Sequence, residues 1–217
     1  SLVFEGENED TKYTLASIHL RLHDHASALS VTQPWVQSKP DSEMAAQIHV
    51  RALLAANRAT EARAFAQLWL EKPPENLVIQ NLLVEVQITL GLHQQAIRSA
   101  AEILKSDEVN VPAMRNIARA YLALGKLELA EFVLLQGLDV RPDPQLSFLL
   151  AQVFIKREAW QRAKTELLKC IEQTPNYAEA LNNLGVVYQQ VGDYPSAVTV
   201  LQRATRTSPR YPNAFLN

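Results

Sequence analysis

Residues 177–211 read YAEALNNLGVVYQQVGDYPSAVTVLQRATRTSPRY. Leu181, Leu184, Gly185 and Tyr188 fall at i, i+3, i+4 and i+7, which is one face of an α-helix. Gly192-Asp193 breaks that rhythm: glycine supplies a left-handed helix exit, and Asp is a good N-cap for a second helix. Ala197, Leu201 and Ala204 resume the spacing at i, i+4 and i+7, and Pro209 stops the second helix. The stretch therefore predicts two antiparallel helices joined by a short turn.

The same sentence is written six times. Ala28, Ala62, Ala96, Ala130, Ala163 and Ala197 are separated by 34, 34, 34, 33 and 34 residues. Pro40, Pro74, Pro142, Pro175 and Pro209 each stand 12 residues past a marker alanine, and only Glu108 breaks their series. A third column reads Leu15, His49, Leu83, Ile117, Leu150 and Leu184, and a fourth, mostly small, reads Ala16, Val50, Val84, Ala118, Ala151 and Gly185. A period of this length denotes a stack of supersecondary units, each burying its apolar face on its neighbours. The marker alanine predicts the point where the two helices of a pair come closest, since a larger side chain there would overpack the contact.

These columns resemble the tetratricopeptide repeat family, whose signature runs aromatic, Leu, Gly/Ala, Tyr, Ala, aromatic/Leu, Ala, Pro at fixed places. Leu184-Gly185, Tyr188, Gly192-Asp193-Tyr194, Ala197, Ala204 and Pro209 carry the likeness, as do Ile117-Ala118, Tyr121, Gly125, Ala130 and Pro142. The resemblance spans residues 9–211. It implies an all-α fold, a right-handed superhelical solenoid with a concave, partner-binding face. The expected organisation is a tail at 1–8, then repeats at 9–42, 43–76, 77–110, 111–143, 144–177 and 178–211. A thirteenth helix or cap would begin at 212–217, and both ends read as cut from a longer chain. The related pentatricopeptide repeat, longer and usually basic because it reads RNA, is a poor match.

The units are unequal. Four residues past the marker stand Thr32, Ala66 and Ala100, then Leu134, Leu167 and Leu201; three further on stand Trp35, Trp69 and Ile103, then Gly137, Cys170 and Ala204. Small-then-large becomes large-then-small, which reads as compensated repacking. Pro34, inside the second helix of the first repeat, is expected to kink or end that helix near Gln33.

Composition sets bounds. Of the residues 47% are hydrophobic, enough for a buried core, and the net charge of −2 draws the chain to neither nucleic acid nor an anionic membrane. Residues 1–110 carry 14 acids and 9 bases, residues 111–217 carry 9 and 12. The lone Cys170 excludes an intrachain disulfide, and a helical stack of this kind is compatible with cytoplasm or periplasm. No run is apolar enough to insert into a membrane.

Little chemistry is legible. His19, His23 and His25 form the one cluster with metal-like spacing, but His19 shares a packing column with Leu53, Tyr121, Phe154 and Tyr188, and His23 stands in the helix-exit column. Cys170 lies in a packing column and reads as a buried, inert thiol. Asn182-Asn183 invites comparison with the asparagine-lined groove of the O-linked glycosyltransferase repeats, yet its column otherwise reads Thr14, Ile48, Leu82, Asn116 and Leu149. No catalytic residue, metal site or cofactor is assigned.

The expectation is a non-enzymatic interaction scaffold whose partner lies along the first helix of each repeat. By resemblance, the groove-lining stripe comprises Tyr13, Gln47, Arg51, Asn81, Glu85, Arg115, Arg119, Phe148, Gln152, Lys156 and Asn182. Pro112 and Leu122 share the face of Arg115 and Arg119. Arg115 and Arg119, one helical turn apart, suit carboxylates, Phe148 offers an apolar platform, and Glu85 opposes them in charge, so an acidic and apolar protein segment is the expected ligand. The family's carboxylate-clamp pattern is absent at Tyr13, Ser17 and Ile48. The alternatives are an accessory repeat domain of a larger enzyme or of a secretion or pilus-type machine, and a self-assembly module that associates weakly through its C-terminal end.

Overall fold

In the computed structural model, residues 8–71 and 76–207 are described; Pro74, Pro209 and the thirteenth helix expected at 212–217 lie outside them. The described residues form twelve α-helices and no strand. By their packing they divide into two compact units, Ser1–Glu108 and Val109–Asn217.

Unit 1 contains α1 (Glu9–Arg21), α2 (His25–Ser38), α3 (Glu43–Ala55), α4 (Ala59–Leu70), α5 (Leu77–Thr89) and α6 (His93–Ser106). Unit 2 contains α7 (Val111–Ala123), α8 (Leu127–Val140), α9 (Pro144–Lys156), α10 (Trp160–Gln173), α11 (Ala178–Gln190) and α12 (Tyr194–Thr207). The first helix of every pair has 13 residues. Pro40, Pro142 and Pro175 follow the ends of α2, α8 and α10.

All six turns within the pairs share one backbone device. The second residue past each first helix has positive φ: His23, Asn57, Gly91, Gly125, Glu158 and Gly192, at 56° to 81°. The next residue's N–H then donates to the carbonyl five positions back, as Asp24 to His19, Arg58 to Leu53, Leu92 to Gln87, Lys126 to Tyr121, Ala159 to Phe154 and Asp193 to Tyr188, at 2.8–2.9 Å. This left-handed exit satisfies carbonyls that the helix end would otherwise leave bare. A second column starts the first helices. Asn8, Ser42, Asn76, Asn110 and Asp143 each accept a backbone N–H of the first turn on the side chain. Tyr177, the sixth member, makes no such bond. Asp193 caps α12 through the Ser196 N–H at 3.2 Å.

The marker alanines are buried throughout, five of them completely and Ala197 to 5%. The closeness they permit is measured at Gly185, where an added Cβ would lie 2.5 Å from Leu201 Cγ. In unit 1, Trp35 packs with Ala16, Ala45 and Ile48, while Val50, Ala66, Ile79 and Leu82 form a second cluster. In unit 2 one continuous core runs from Val111 to Ala204.

Pro34 does not end its helix: α2 continues through it to Ser38. Proline removes one backbone donor. Against that loss, Trp35 is 1% exposed on the following position, and Thr32 Oγ1 is hydrogen-bonded to His49 Nδ1 at 2.9 Å. These contacts hold the last turn in register.

Candidate interaction surface

The stripe named from the sequence lies on the first helices and is best taken one unit at a time. In unit 1, α1, α3 and α5 carry Tyr13, Gln47, Arg51, Asn81 and Glu85. Arg51 Nη1 donates to Tyr13 Oη at 3.4 Å, which ties α3 to α1 across the stripe. Gln47 and Glu85 are half-buried, whereas Asn81 is buried and its amide donates back to Leu77 O at 2.8 Å. One arginine and one glutamate leave these five positions balanced in charge.

In unit 2, α7 carries Arg115 and Arg119, α9 carries Phe148, Gln152 and Lys156, and α11 carries Asn182. Three bases and no acid occupy these six positions. Lys156 is exposed; Arg115, Arg119, Phe148 and Gln152 are half-buried; Asn182 is buried, and its side-chain oxygen has no hydrogen-bond partner among the described residues. The Phe148 ring lies against Tyr177, with centroids 5.0 Å apart and planes tilted by 34°. Burial, with the Glu179 carboxylate next in importance, pushes the Tyr177 hydroxyl up to about 12, while the Arg115 guanidinium acts in the opposite sense. The tyrosine hydroxyl thus stays neutral, and the pair forms an aromatic shelf beside a fixed positive charge.

Tyr177 is the residue that sequence reasoning left out of the stripe. Its signal is the cap column: Asn, Ser or Asp stands there in five repeats, and an aromatic ring in the sixth. A side chain that cannot cap the helix is spent on packing instead.

The remaining chemical candidates are structural. Burial pushes the Cys170 thiol up to about 12, so it stays protonated and unreactive. His19 Nδ1 lies 3.4 Å from Asp24 Oδ2, and His23 meets His25 edge-on at 6.1 Å. Among the described residues no group of three or more His, Cys, Asp or Glu side chains is placed to hold a metal ion. Among them, too, no helix is long and apolar enough to cross a membrane. Arg157, the residue past the end of α9, ties that helix to α8: it donates to Glu131 at 2.5 Å and Glu128 at 2.7 Å, and Arg162 of α10 reaches Glu131 at 2.7 Å while lying 3.9 Å over the Phe154 ring.

Paired helices of constant length, one left-handed exit per pair and a charged stripe on the first helices define an all-α repeat built for contact with other chains. Tetratricopeptide repeat models match residues 87–153 and 166–199. Those two stretches are tetratricopeptide repeats, and the helix pairs around them continue the same pattern. The chain is 25% identical over 127 residues to BBSome complex member BBS4 of Bos taurus, covering 58% of this chain and 24% of that one. It is 26% identical over 159 residues to tetratricopeptide repeat-containing protein trd-1 of Caenorhabditis elegans, covering 72% and 20%. The chain thus spans about a quarter or less of the length of these curated relatives. Its fold is similar to a chain of the APC/C hetero-tetramer Cut9-Hcn1, with a TM-score of 0.76 and 17% identity, over 98% of this chain and 42% of that one.

Proposed function

We propose that the protein is a non-enzymatic interaction scaffold, and that the stripe of unit 2 takes a protein segment combining carboxylates with an aromatic or aliphatic side chain. The observation that carries this reading is the company kept by the shelf: Arg115, Arg119 and Lys156 share the stripe with the Phe148–Tyr177 pair, and the six stripe positions themselves hold no acid, while the Glu179 and Asp143 carboxylates lie within electrostatic range of Tyr177. Guanidinium groups bind carboxylates in two-pronged fashion, and a neighbouring aromatic supplies the buried anchor that concentrates binding energy. The stripe of unit 1, balanced in charge and cross-linked by Arg51 and Tyr13, is the weaker candidate. Relatives named as members of multiprotein complexes support the scaffold reading.

The test uses a ten- to twelve-residue peptide bearing glutamates around one Phe, and its counterpart with Lys for Glu. Fluorescence anisotropy should register binding of the first alone, lost in an Arg115→Glu, Arg119→Glu double variant with unchanged helical circular dichroism. Equal binding of both peptides, or by the variant, would move the site elsewhere. A pull-down from the native source with the same pair of proteins then identifies the partner.

A further inference from the structure

The second helix of each pair turns one face to solvent. Two residues past the marker alanine, at the crest of that face, stand Ser30, Ala64, Arg98, Thr165 and Thr199, all exposed. On α8 the crest is Phe132, 60% exposed. Three residues before the crest the other helices carry Ser27, Glu61, Gln95, Arg162 and Ser196, and α8 carries Leu129. Three residues after it α8 carries Leu135, a leucine shared at that position with α10 alone. Leu129 and Leu135 are each 44% exposed. An apolar patch on a face that is otherwise small or polar marks a contact surface. It lies on a second helix, apart from the stripe of the first helices.

The sequence around Phe132 reads alike in both directions. Leu129 and Leu135 flank it at three residues, and Glu128 and Gln136 at four. Farther out stand Lys126, the N-cap of α8, and Asp139, in its last turn. A cation at a helix start and an anion at its end both oppose the helix dipole. Both side chains are exposed, and neither has a hydrogen bond or ion pair among the described residues. The other charges beside the patch are provided for. Arg157 bridges Glu128 and Glu131, and Arg162 shares Glu131. Arg141, exposed at the C-cap, suits its own helix end.

From these observations we infer that two copies of this chain pair through α8, antiparallel about a two-fold axis at Phe132. The two phenylalanines then meet, each Leu129 meets the other copy's Leu135, and each Glu128 meets the other copy's Gln136. At 1.5 Å per residue, Asp139 and Lys126 lie about 10 and about 9 Å from the axis on opposite sides. Each aspartate therefore reaches the other copy's lysine and the positive start of its helix. The occupant is a second copy because a two-fold contact requires a surface complementary to itself, and this order of residues supplies one. A parallel pairing would set Asp139 against Asp139. The contact closes on itself, so assembly stops at a dimer. One helix from each copy offers less than the roughly 800 Å² per partner of a standard interface, so the dimer is weak.

The test is sedimentation equilibrium of the 217-residue chain from about 10 μM to about 1 mM, at about 0.05 M salt to spare surface charge pairs from screening. The expected result is monomer at the low end and dimer, with nothing larger, at the high end. Phe132→Asp replaces an exposed side chain, so it should keep full helical circular dichroism and stay monomeric. Lys126→Asp and Asp139→Lys should each weaken pairing about tenfold, because each sets like charges together at two places. Mixed, the two variants should form a heterodimer in preference to either homodimer, since one copy then carries only aspartates at these positions and the other only lysines. A wild-type chain still monomeric at about 1 mM overturns the proposal and leaves the patch to a different protein. Growth beyond a dimer, or a dimer that survives Phe132→Asp, also overturns it. So does a mixture with no preference for the heterodimer, since that separates Lys126 from Asp139.

Discussion

In unit 1 the residue four past the marker alanine is small (Thr32, Ala66, Ala100) and fully buried, and the residue three further on is large (Trp35, Trp69, Ile103). In unit 2 the first of these positions holds Leu134, Leu167 and Leu201, and the second Gly137, Cys170 and Ala204. The switch falls at the border between the units, where Glu108 also replaces the recurring proline. The neighbours switch with it. Trp35 packs in one cluster with Ala45, whereas Gly137, at the position of Trp35, faces Leu146, at the position of Ala45. A Cβ on Gly137 would lie 2.7 Å from Leu146 Cδ1. Val50 and Val84 accompany Ala66 and Ala100 in unit 1, where Ala16 beside Thr32 is the exception, and Ala118, Ala151 and Gly185 accompany the leucines of unit 2. Close packing fixes the volume of each seam and leaves open which helix supplies it.

The strongest way to break the comparison is to exchange one column without its partners. Leu167→Ala should destabilise unit 2 by about 2–5 kcal/mol, because a fully buried leucine leaves a cavity. Ala66→Leu in unit 1 should lose about 1–3 kcal/mol by overpacking. Carrying the unit 1 pattern into unit 2 as Leu134→Ala with Gly137→Trp should be worse than Leu134→Ala alone, and adding Leu146→Ala should recover part of the loss. Urea denaturation of the series reads all five variants. A triple variant no more stable than the double would show that the columns are not coupled.

The units also differ in their response to acid. His49 of unit 1 is 7% exposed, bonded to Thr32 and edge-on to Phe65 at 4.9 Å. The same column in unit 2 holds Ile117, Leu150 and Leu184. Burial, assisted by the Arg58 guanidinium and opposed by the Glu61 carboxylate, lowers the His49 imidazole from 6.5 to about 4. Between those values the unfolded chain binds the proton and the folded unit does not. Stability is therefore fully present above about pH 6.5 and falls by roughly 3 kcal/mol as pH drops to about 4. Glu9 and Glu61, whose pKa values are lowered by hydrogen bonds, begin to withdraw their contributions as pH falls through about 4.5, and Asp24 as it falls through about 3.8, so the histidine acts alone only above that range. Hydrogen exchange should show the amides of α2 and α3 losing protection between pH 6.5 and 4.5 before those of α9 and α11. The Thr32→Ala, His49→Leu double variant should erase the difference, and a difference that survives it would acquit the histidine.

Much of this was legible in the chain because repetition multiplies weak signals. One alanine at a helix contact says little, but six at a fixed spacing place every pair of helices, and Gly91, Gly125 and Gly192 announce their exits. The capping column of Asn8, Ser42, Asn76, Asn110 and Asp143 was equally periodic, yet its residues are chemically varied and ordinary in loops. Pro34 misleads because propensity counts the missing amide and not the buried Trp35 beside it. Along the stripe, sequence registers a column but not its depth: Asn81 and Asn182 sit on the same face as Arg115 and Phe148 and are nonetheless buried.

A smaller effect separates core from stripe within unit 2. Ala130→Leu should cost about 1–3 kcal/mol more than Arg119→Ala, since one forces a side chain into a fully buried contact and the other trims a half-buried charge. Thermal unfolding decides this, and coincident melting temperatures would place the marker alanine outside the helix contact.

The finest distinction lies in the turns, where both units use the same left-handed exit but fill it differently. Gly91, Gly125 and Gly192 adopt it without strain; His23, Asn57 and Glu158 do so at φ of 56° to 59°. A side chain in this region is disfavoured by about 1–2 kcal/mol through contact of Cβ with the following carbonyl, least for Asn. Glycine would relieve that strain but gives back about 0.5–1 kcal/mol, because it loses more freedom on folding. Glu158→Gly should therefore stabilise unit 2 by about 0.5–1 kcal/mol, its exposed side chain leaving no cavity behind. Asn57→Gly in unit 1 should change stability by a few tenths at most. The neighbouring Arg157 bridge to Glu128 and Glu131 remains in both cases. Urea midpoints measured side by side make the comparison. If Glu158→Gly destabilises, the glutamate is contributing something in its turn that outweighs its backbone strain, and the six exits are not energetically equivalent.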